Sequence, residues 1–302
     1  MTATPAIPRA RGRRRNLAAY LFVLPYGIFL VGIGFLPTAY ALTLSFFDTT
    51  GKTNIFNGLE NWKLVLSDYR LVQSVIHVLS FVGIWLPMMA FCVILMAVLL
   101  HARPGWFSTT MRMVYYLPGA IVGTTAVLLW LFMFDPSISP FGILLHAVGL
   151  TDTYSVLSAP RLPLAFALMS FFSSAGGWVV VLYGALNSIP KEILEAAEID
   201  GCTALQMVLK IKLPMIAKNV VFMLILSFSG GFQLFIEPNL ISTSTSGAIA
   251  TSDWAVNQIS YIYAFTLLNF GAAAALSSCL LALSLAVALW LIYRTDFYRI
   301  DV

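Results

Sequence analysis

Residues 188–214 concentrate side chains able to make a specific contact in a chain that is otherwise poor in them. They read Ser-Ile-Pro-Lys-Glu-Ile-Leu-Glu-Ala-Ala-Glu-Ile-Asp-Gly-Cys-Thr-Ala-Leu-Gln-Met-Val-Leu-Lys-Ile-Lys-Leu-Pro. Glu192, Glu195 and Glu198 recur at every third position, which places three carboxylates on one helix face. Pro190 suits the first position of that helix. Ala196 and Ala197 leave the helix thin, so another surface can pack closely against it. Gly201 follows Asp200 and can take the left-handed conformation that ends a helix. Thr203 and Gln206 form a capping box that starts a second helix, and Pro214 closes the unit. The chemistry on offer is recognition. Spacing alone leaves two readings open, a solvated amphipathic connector and a docking element for another protein.

Bond-making chemistry has no foothold. There is no P-loop, HExxH, GxSxG or pair of carboxylates within an apolar run. No catalytic residue is expected, and the chain has no P-loop with which to hydrolyse ATP. Cys92, Cys202 and Cys279 form no CxxC pair, and His77, His101 and His146 stand apart from them and from one another. Neither a disulfide framework nor a metal site is expected.

The elements that position residues 188–214 belong to a membrane. Of the 302 residues, 60% are hydrophobic and 10% charged, and the mean hydropathy is +0.88. A soluble domain is roughly half apolar and about a quarter charged, so this chain lacks the surface of a soluble globule. Six apolar stretches stand out, near Leu17–Phe47, Leu71–Leu100, Met113–Phe134, Leu162–Leu186, Met215–Ile241 and Phe265–Tyr293. Each exceeds the roughly 20 residues that cross a bilayer core. The expected fold is all-α and polytopic, with six transmembrane helices over 17–293, tails at 1–16 and 294–302, and the 188–214 loop between spans four and five.

The net charge of +4 raises nucleic-acid binding as a first thought, but the distribution of the charges assigns them to topology. With the N-terminus in the cytoplasm, the inside segments hold 13 of the lysines and arginines and the outside segments hold four, Lys52, Lys63, Arg70 and Arg161. That imbalance obeys the positive-inside rule with both ends cytoplasmic. Arg11, Arg13, Arg14 and Arg15 before an apolar run, with Ala39-Tyr40-Ala41 after it, resemble a secretory signal. The run spans 31 positions and contains Pro25 and Pro37. A signal core is usually about 7–15 residues, so the run is read as a retained first span. Trp62, Val65, Leu66 and Tyr69 lie at helical spacing in the first outer loop and suggest an interfacial helix. Asp135–Pro160 reads as an outer loop rich in turns.

Residues 188–214 resemble the EAA loop of ABC importer permeases, through Glu195-Ala196-Ala197, Asp200-Gly201, Ile211 and Leu213-Pro214. Leu186, Ile189-Pro190 and Glu192 resemble the sugar-type branch, which includes the maltose and glycerol-phosphate permeases. Further matches run along the chain in order, among them Leu24-Pro25, Gly58-Leu59-Glu60-Asn61, Leu117-Pro118, Trp130 with Pro136, Gly149-Leu150, Phe232-Gln233 and Phe270-Gly271-Ala272-Ala273-Ala274. The resemblance implies a type I importer fold in the cytoplasmic (inner) membrane. It implies that the loop is a coupling helix docking on a separate ATP-binding subunit, with Glu195 as the docking glutamate, Gly201 as the turn and Ala196 and Ala197 as the close-contact positions. Glu192, Asp200 and Glu198 complete that surface. It also implies a second, similar permease, two ATP-binding subunits that hold ATP and Mg²⁺, and an extracytoplasmic solute-binding protein. The chain departs from the family at Lys218, Cys202, His77-Val78 and Ser242–Gly247, where a proline, an alanine, an Asn-Thr pair and a glycine-rich loop are common.

Solute is expected near the bilayer midplane, where spans break or carry polar groups. The candidates are Ser170, Ser173 and Ser174 in span four, Ser227, Ser229, Gly230, Gly231 and Gln233 in span five, and Thr124 and Thr125 in span three, with Trp130 or Phe232 as a stacking face. Such partners suit a neutral, hydroxyl-rich solute. The same small residues also serve helix packing, as Gly119 and Gly123 are expected to do. Glu237 would cost about 2.5–3.5 kcal/mol at the midplane, so it is read as reaching the outer interface or a vestibule. A secondary transporter driven by an ion gradient is the alternative. Its relay would have to use His77 and Glu237, which have no obvious partners in the sequence.

Overall fold

A computed structural model describes residues 11–51 and 53–294 of the chain, with side chains from residue 20 onward. Arg9, Lys52, Arg299 and most of the two expected tails lie outside the described residues. Among the described residues, five helices are long and apolar enough to cross a membrane: span one at Tyr20–Leu44, span two at Tyr69–Ala102, span four at Ala159–Asn187, span five at Ala217–Ser244 and span six at Phe270–Arg294. Span three is a bent pair, Trp106–Ala120 followed by Thr124–Met133, that turns through 106°. The six-span, helical architecture holds, with one small addition. Phe47–Asp48 and Ile55–Phe56 pair as an antiparallel hairpin, with Phe47 opposite Phe56.

The bundle is organised by span two against span four. Ser74, Val78, Phe81, Val82, Trp85, Met89, Val93, Ala97 and Leu100 are buried along span two. Their spacing of one, three or four residues makes one continuous stripe down the helix. Span four answers with Phe166, Met169, Ala175, Val179, Leu182 and Leu186. Small residues bring other elements close, as expected where helices pack without a hydrophobic drive from water. A Cβ on Gly176 would overlap the Tyr115 carbonyl of span three, and one on Gly271 would overlap the Phe47 carbonyl. Span one contrasts with the rest. No part of its most apolar stretch is buried, and its Leu36–Leu44 end meets span six.

Several expectations need correction. Span three is not one helix from Met113 to Phe134. It starts at Trp106 and breaks after Ala120, where Ile121 is extended and Gly123 sits at φ +66°. Gly123 therefore serves a turn that a side chain would strain, and nothing lies within 4 Å of a Cβ built there. Gly119 does pack closely, because a Cβ there would sit 2.7 Å from the Ser173 carbonyl oxygen. The first-loop helix forms at Glu60–Leu66, but it leans on span six instead of presenting one apolar face. Val65 is buried, whereas Leu66 and Tyr69 are exposed. Its anchor is Asn61, whose amide donates to the Ser45 and Phe47 carbonyls at 2.9 and 2.8 Å.

Residues 245–269 are the main surprise. They fold back into the bundle, with Trp254, Ala255, Val256 and Ile259 buried and a helix at Val256–Tyr261 against spans two and six. Span six begins at Phe270 because Leu268 turns through φ +53° and the Asn269 side chain accepts the Ala272 N–H at 2.9 Å.

The contact at Gly176 carries a prediction. Gly176→Val should lower the melting temperature of the detergent-solubilised chain, by the equivalent of about 1–3 kcal/mol of overpacking. Gly177→Ala, beside an open space, should leave it unchanged.

Candidate functional site

Residues 188–214 form a folded unit at one end of the bundle, called here the near end. Pro190 stands one place earlier than expected, as the residue before the helix Lys191–Ile199. That helix ends in a Schellman motif, in which the Gly201 N–H donates to the Glu198 carbonyl at 3.0 Å and the Cys202 N–H to the Ala197 carbonyl at 2.9 Å. Gly201 holds φ +78° there, a conformation only glycine takes cheaply. The Thr203–Gln206 capping box is formed in both directions: the Gln206 N–H donates to Thr203 Oγ1 at 3.3 Å, and the Thr203 N–H to Gln206 Oε1 at 2.9 Å. The second helix, Ala204–Gln206, continues through a π-helical stretch at Met207–Lys212 toward span five.

The outer surface of this unit has no cover among the described residues. Glu192, Glu195, Ala196, Glu198 and Asp200 are exposed. Ile199, Leu205 and Leu209 are also exposed, Ile199 to 86%. Carboxylates and large apolar side chains therefore lie side by side on this surface. Ala197 and Met207 face inward and are buried.

The unit is tied to the span ends beneath it. Lys212 Nζ lies 3.2 Å from His101 Nδ1 at the end of span two. Burial pulls the Lys212 ammonium below its ordinary range, and Glu198 partly offsets this. The His101 ring meets Tyr183 of span four edge-on at 6.1 Å. The Arg112 guanidinium of span three stacks 3.9 Å above the same Tyr183 ring. Spans two, three and four and the 188–214 unit therefore meet at one cluster.

The expected solute residues do not gather in one place. Ser173 and Trp130 line an apolar cavity of about 240 Å³ between the broken span three and span four. Trp130 packs there against Phe134 and Phe172. Ser173 and Ser174 spend their hydroxyls on the Met169 and Ser170 carbonyls, at 2.9 and 2.6 Å. Ser170 is half-buried, and Thr124 and Thr125 are exposed on the short helix after the break. Ser227 is buried, and a Cβ on Gly231 would press on Val82 and Trp85 of span two. Gly230 is exposed with open space around it. Ser229 and Gln233 line a second cavity, toward span six. Phe232 is buried against Phe228, with ring centroids 4.9 Å apart, and lines the same cavity. Glu237 lies in the first turn of the helix Ile236–Ser244, where the N-terminal end of the helix favours a carboxylate.

The opposite, far end holds a cluster that the sequence did not reveal, because its members come from positions 68–77 and 253–263. Arg70 and Asp68 form a bidentate pair, with Nη2 to Oδ2 at 2.7 Å and Nε to Oδ1 at 3.0 Å. The Tyr263 hydroxyl donates to Asp68 Oδ2 at 2.8 Å. Arg70 holds the Asp68 carboxyl down at about 2, and burial with the Asp68 charge pushes the Tyr263 hydroxyl up to about 12. One turn along span two, Ser74 donates to the Asp253 carbonyl. His77 then stacks on Trp254 at 5.0 Å and lies 3.2 Å from the Trp254 carbonyl oxygen. His77 is thus a structural tie between span two and the folded-back segment.

A bundle of apolar helices with an exposed amphipathic element at one end, and breaks and polar clefts within it, is the architecture of a polytopic membrane protein. Residues 66–294 match the family described as binding-protein-dependent transport system inner membrane component. The chain belongs to this family and is the multi-pass membrane permease of a binding-protein-dependent importer, an assignment that disfavours an ion-gradient carrier. It is 26% identical to the probable ABC transporter permease protein YurN of Bacillus subtilis, over 91% of this chain and 95% of that one. It is 29% identical to the sn-glycerol-3-phosphate transport system permease protein UgpA of Agrobacterium fabrum, over 90% and 92% of the two chains. Its fold resembles a chain in the crystal structure of a bacterial alginate ABC transporter in complex with an alginate pentasaccharide-bound periplasmic protein. The TM-score is 0.74, with 17% identity over 93% of this chain and 94% of that one.

The Asp68 cluster sets a pH test. A carboxyl lowered from 3.8 to about 2 contributes stability that is full above pH ~4 and lost as pH falls through the folded value. Asp68→Asn should melt lower than the unmodified chain at pH 7. The gap should narrow as both are titrated toward pH 2.5.

Proposed function

We propose that this chain is the transmembrane permease subunit of an ATP-binding-cassette importer that moves a sugar or sugar-like solute into the cytoplasm by alternating access. The observation that carries this reading is the uncovered surface of residues 188–214, with Glu195, Glu198 and Ile199 exposed on a helix whose Leu194 and Ala197 face inward. A separate ATP-binding subunit docks there, one of two, and it is these subunits that bind ATP and Mg²⁺. Closure of the ATPase pair pushes on Lys191–Ile199. The push passes through the Lys212–His101 contact to span two and directly into span five.

The excess of lysine and arginine in the inside segments supports an orientation with both ends and the 188–214 unit in the cytoplasm. The far end then faces the solute-binding protein. A second, similar permease completes the pathway, and the uncovered span one is part of its contact. A neutral, hydroxyl-rich solute is favoured because no arginine or lysine lies midway along spans two to five, where a phosphate ester or carboxylate would need one. An ion-driven carrier needs an ionisable relay in the membrane, and His77 is already engaged with Trp254.

Glu195→Lys and Gly201→Val test the docking role. In vesicles holding the complete transporter, each should cut ATP-dependent uptake at least about tenfold through loss of the docking contact. Membrane insertion of the chain, read by its recovery in the membrane fraction, should be unchanged. Normal uptake in both variants would sink the reading.

A further inference from the structure

We infer that the cleft between spans five and six is a solute-contact site for a neutral, hydroxyl-bearing molecule, built from Ser229, Gln233, Asn257, Ser277 and Ser284. This rests on the permease reading above and adds to it residues of span six and of the folded-back segment. The cleft encloses about 230 Å³. That is below the roughly 300–1,000 Å³ of a complete small-molecule pocket, so it grips one side of a solute whose other side meets a facing surface.

Depth is the first argument. Ser277 and Ser284 are two helical turns apart on one face of span six, roughly 10 and 21 Å from its Phe270 end at 1.5 Å per residue. Ser229 lies roughly 18 Å into span five from Ala217 by the same measure. These positions fall within the hydrocarbon region, about 30 Å thick. Polar side chains at that depth face a protein interior or a water-filled cavity.

Unmet hydrogen-bonding capacity is the second argument. The side chains of Gln233, Ser229 and Ser284 make no hydrogen bond within the described residues. Asn257 spends one amide N–H on the Phe232 carbonyl at 3.2 Å, which leaves its other N–H and its oxygen free. Ser277 shares a bond of 3.1 Å with Ser260. An array of carboxamides and hydroxyls offers paired donors and acceptors, which neighbouring hydroxyls on a sugar ring require. No charged group lines the cleft, so an anion would lose its hydration without a counter-charge.

Direction is the third argument. Span five divides its polar residues between two faces. Ser227 and Gly231 pack toward the bundle core, whereas Ser229 and Gln233 turn to the cleft.

The first test uses the complete transporter in nanodiscs, with Cys92, Cys202 and Cys279 replaced by alanine. The hydrophilic thiol reagent methanethiosulfonate ethylsulfonate should modify Ser277→Cys and Ser284→Cys at rates comparable to the exposed loop control Ser246→Cys. It should leave Leu285→Cys, on another face of span six, unmodified. If neither cleft cysteine reacts while Ser246→Cys does, with nucleotide absent or trapped, the cleft is outside the aqueous path and the proposal is overturned. The second test measures uptake into proteoliposomes of glucose, maltose and sucrose against glucuronate and glycerol 3-phosphate. With the solute-binding protein present, a neutral sugar should be taken up, and Gln233→Leu and Ser284→Val should lower its maximal uptake rate roughly tenfold, the loss of about one hydrogen bond each. An unchanged maximal rate in both variants overturns the cleft and leaves the importer standing. Import of the charged compounds alone overturns the solute class. Uptake that follows an ion gradient without ATP overturns the permease reading itself.

Discussion

A bilayer core supplies no water to an unpaired backbone N–H or C=O, so a chain that crosses it must satisfy those groups internally. Helices do this within one segment, which is why a sequence of six long apolar runs settles as a helical bundle. The constraint also governs where helices can stop. A break at membrane depth has to be enclosed by protein or open onto a water-filled cavity. The interruptions at Ile121–Gly123 and Gln233–Phe235 are both of this kind. Each borders a cleft lined by other spans. The irregular backbone and the candidate pathway therefore have the same physical origin.

The same economy shapes the ends of the bundle. At the near end, one aromatic ring, Tyr183, receives Arg112 on its face and His101 on its edge. His101 in turn meets Lys212. Most of these groups are polar or charged, and they converge at the end of the spans, where water is at hand and burial is partial. At the far end, Asp68 gathers Arg70 and Tyr263, and His77 and Ser74 carry the tie down span two. Span two thus connects both clusters through 34 residues of continuous helix. A rigid rod fixed at both ends transmits displacement from one end to the other, which is what a driven transporter requires.

Much of this was legible in the residues themselves. Span number and approximate limits follow from hydropathy and length, because burial in lipid demands a run of apolar residues that no other fold needs. The turn at Gly201 and the Thr203–Gln206 box were also legible, because capping is a local matter between residues a few positions apart. Both formed at the residues expected. The break in span three was not read, because Gly123 looks the same in a packing motif as in a turn. The burial of Val256–Tyr261 was not read either, since six residues are too few to show a period.

What the sequence determined by itself was therefore the helical, membrane-spanning class and the local form of the 188–214 unit. Both depend on side-chain periodicity and short-range hydrogen bonds. The tertiary structure alone decided which small and polar residues pack and which stay open. Ser227 and Ser229 are two positions apart on one helix, yet one is buried and the other faces a cleft. Their neighbours come from span two on one side and span six on the other, roughly 50 to 150 positions away in the chain. No rule of local spacing reaches that far, because the contact exists only once the helices have met.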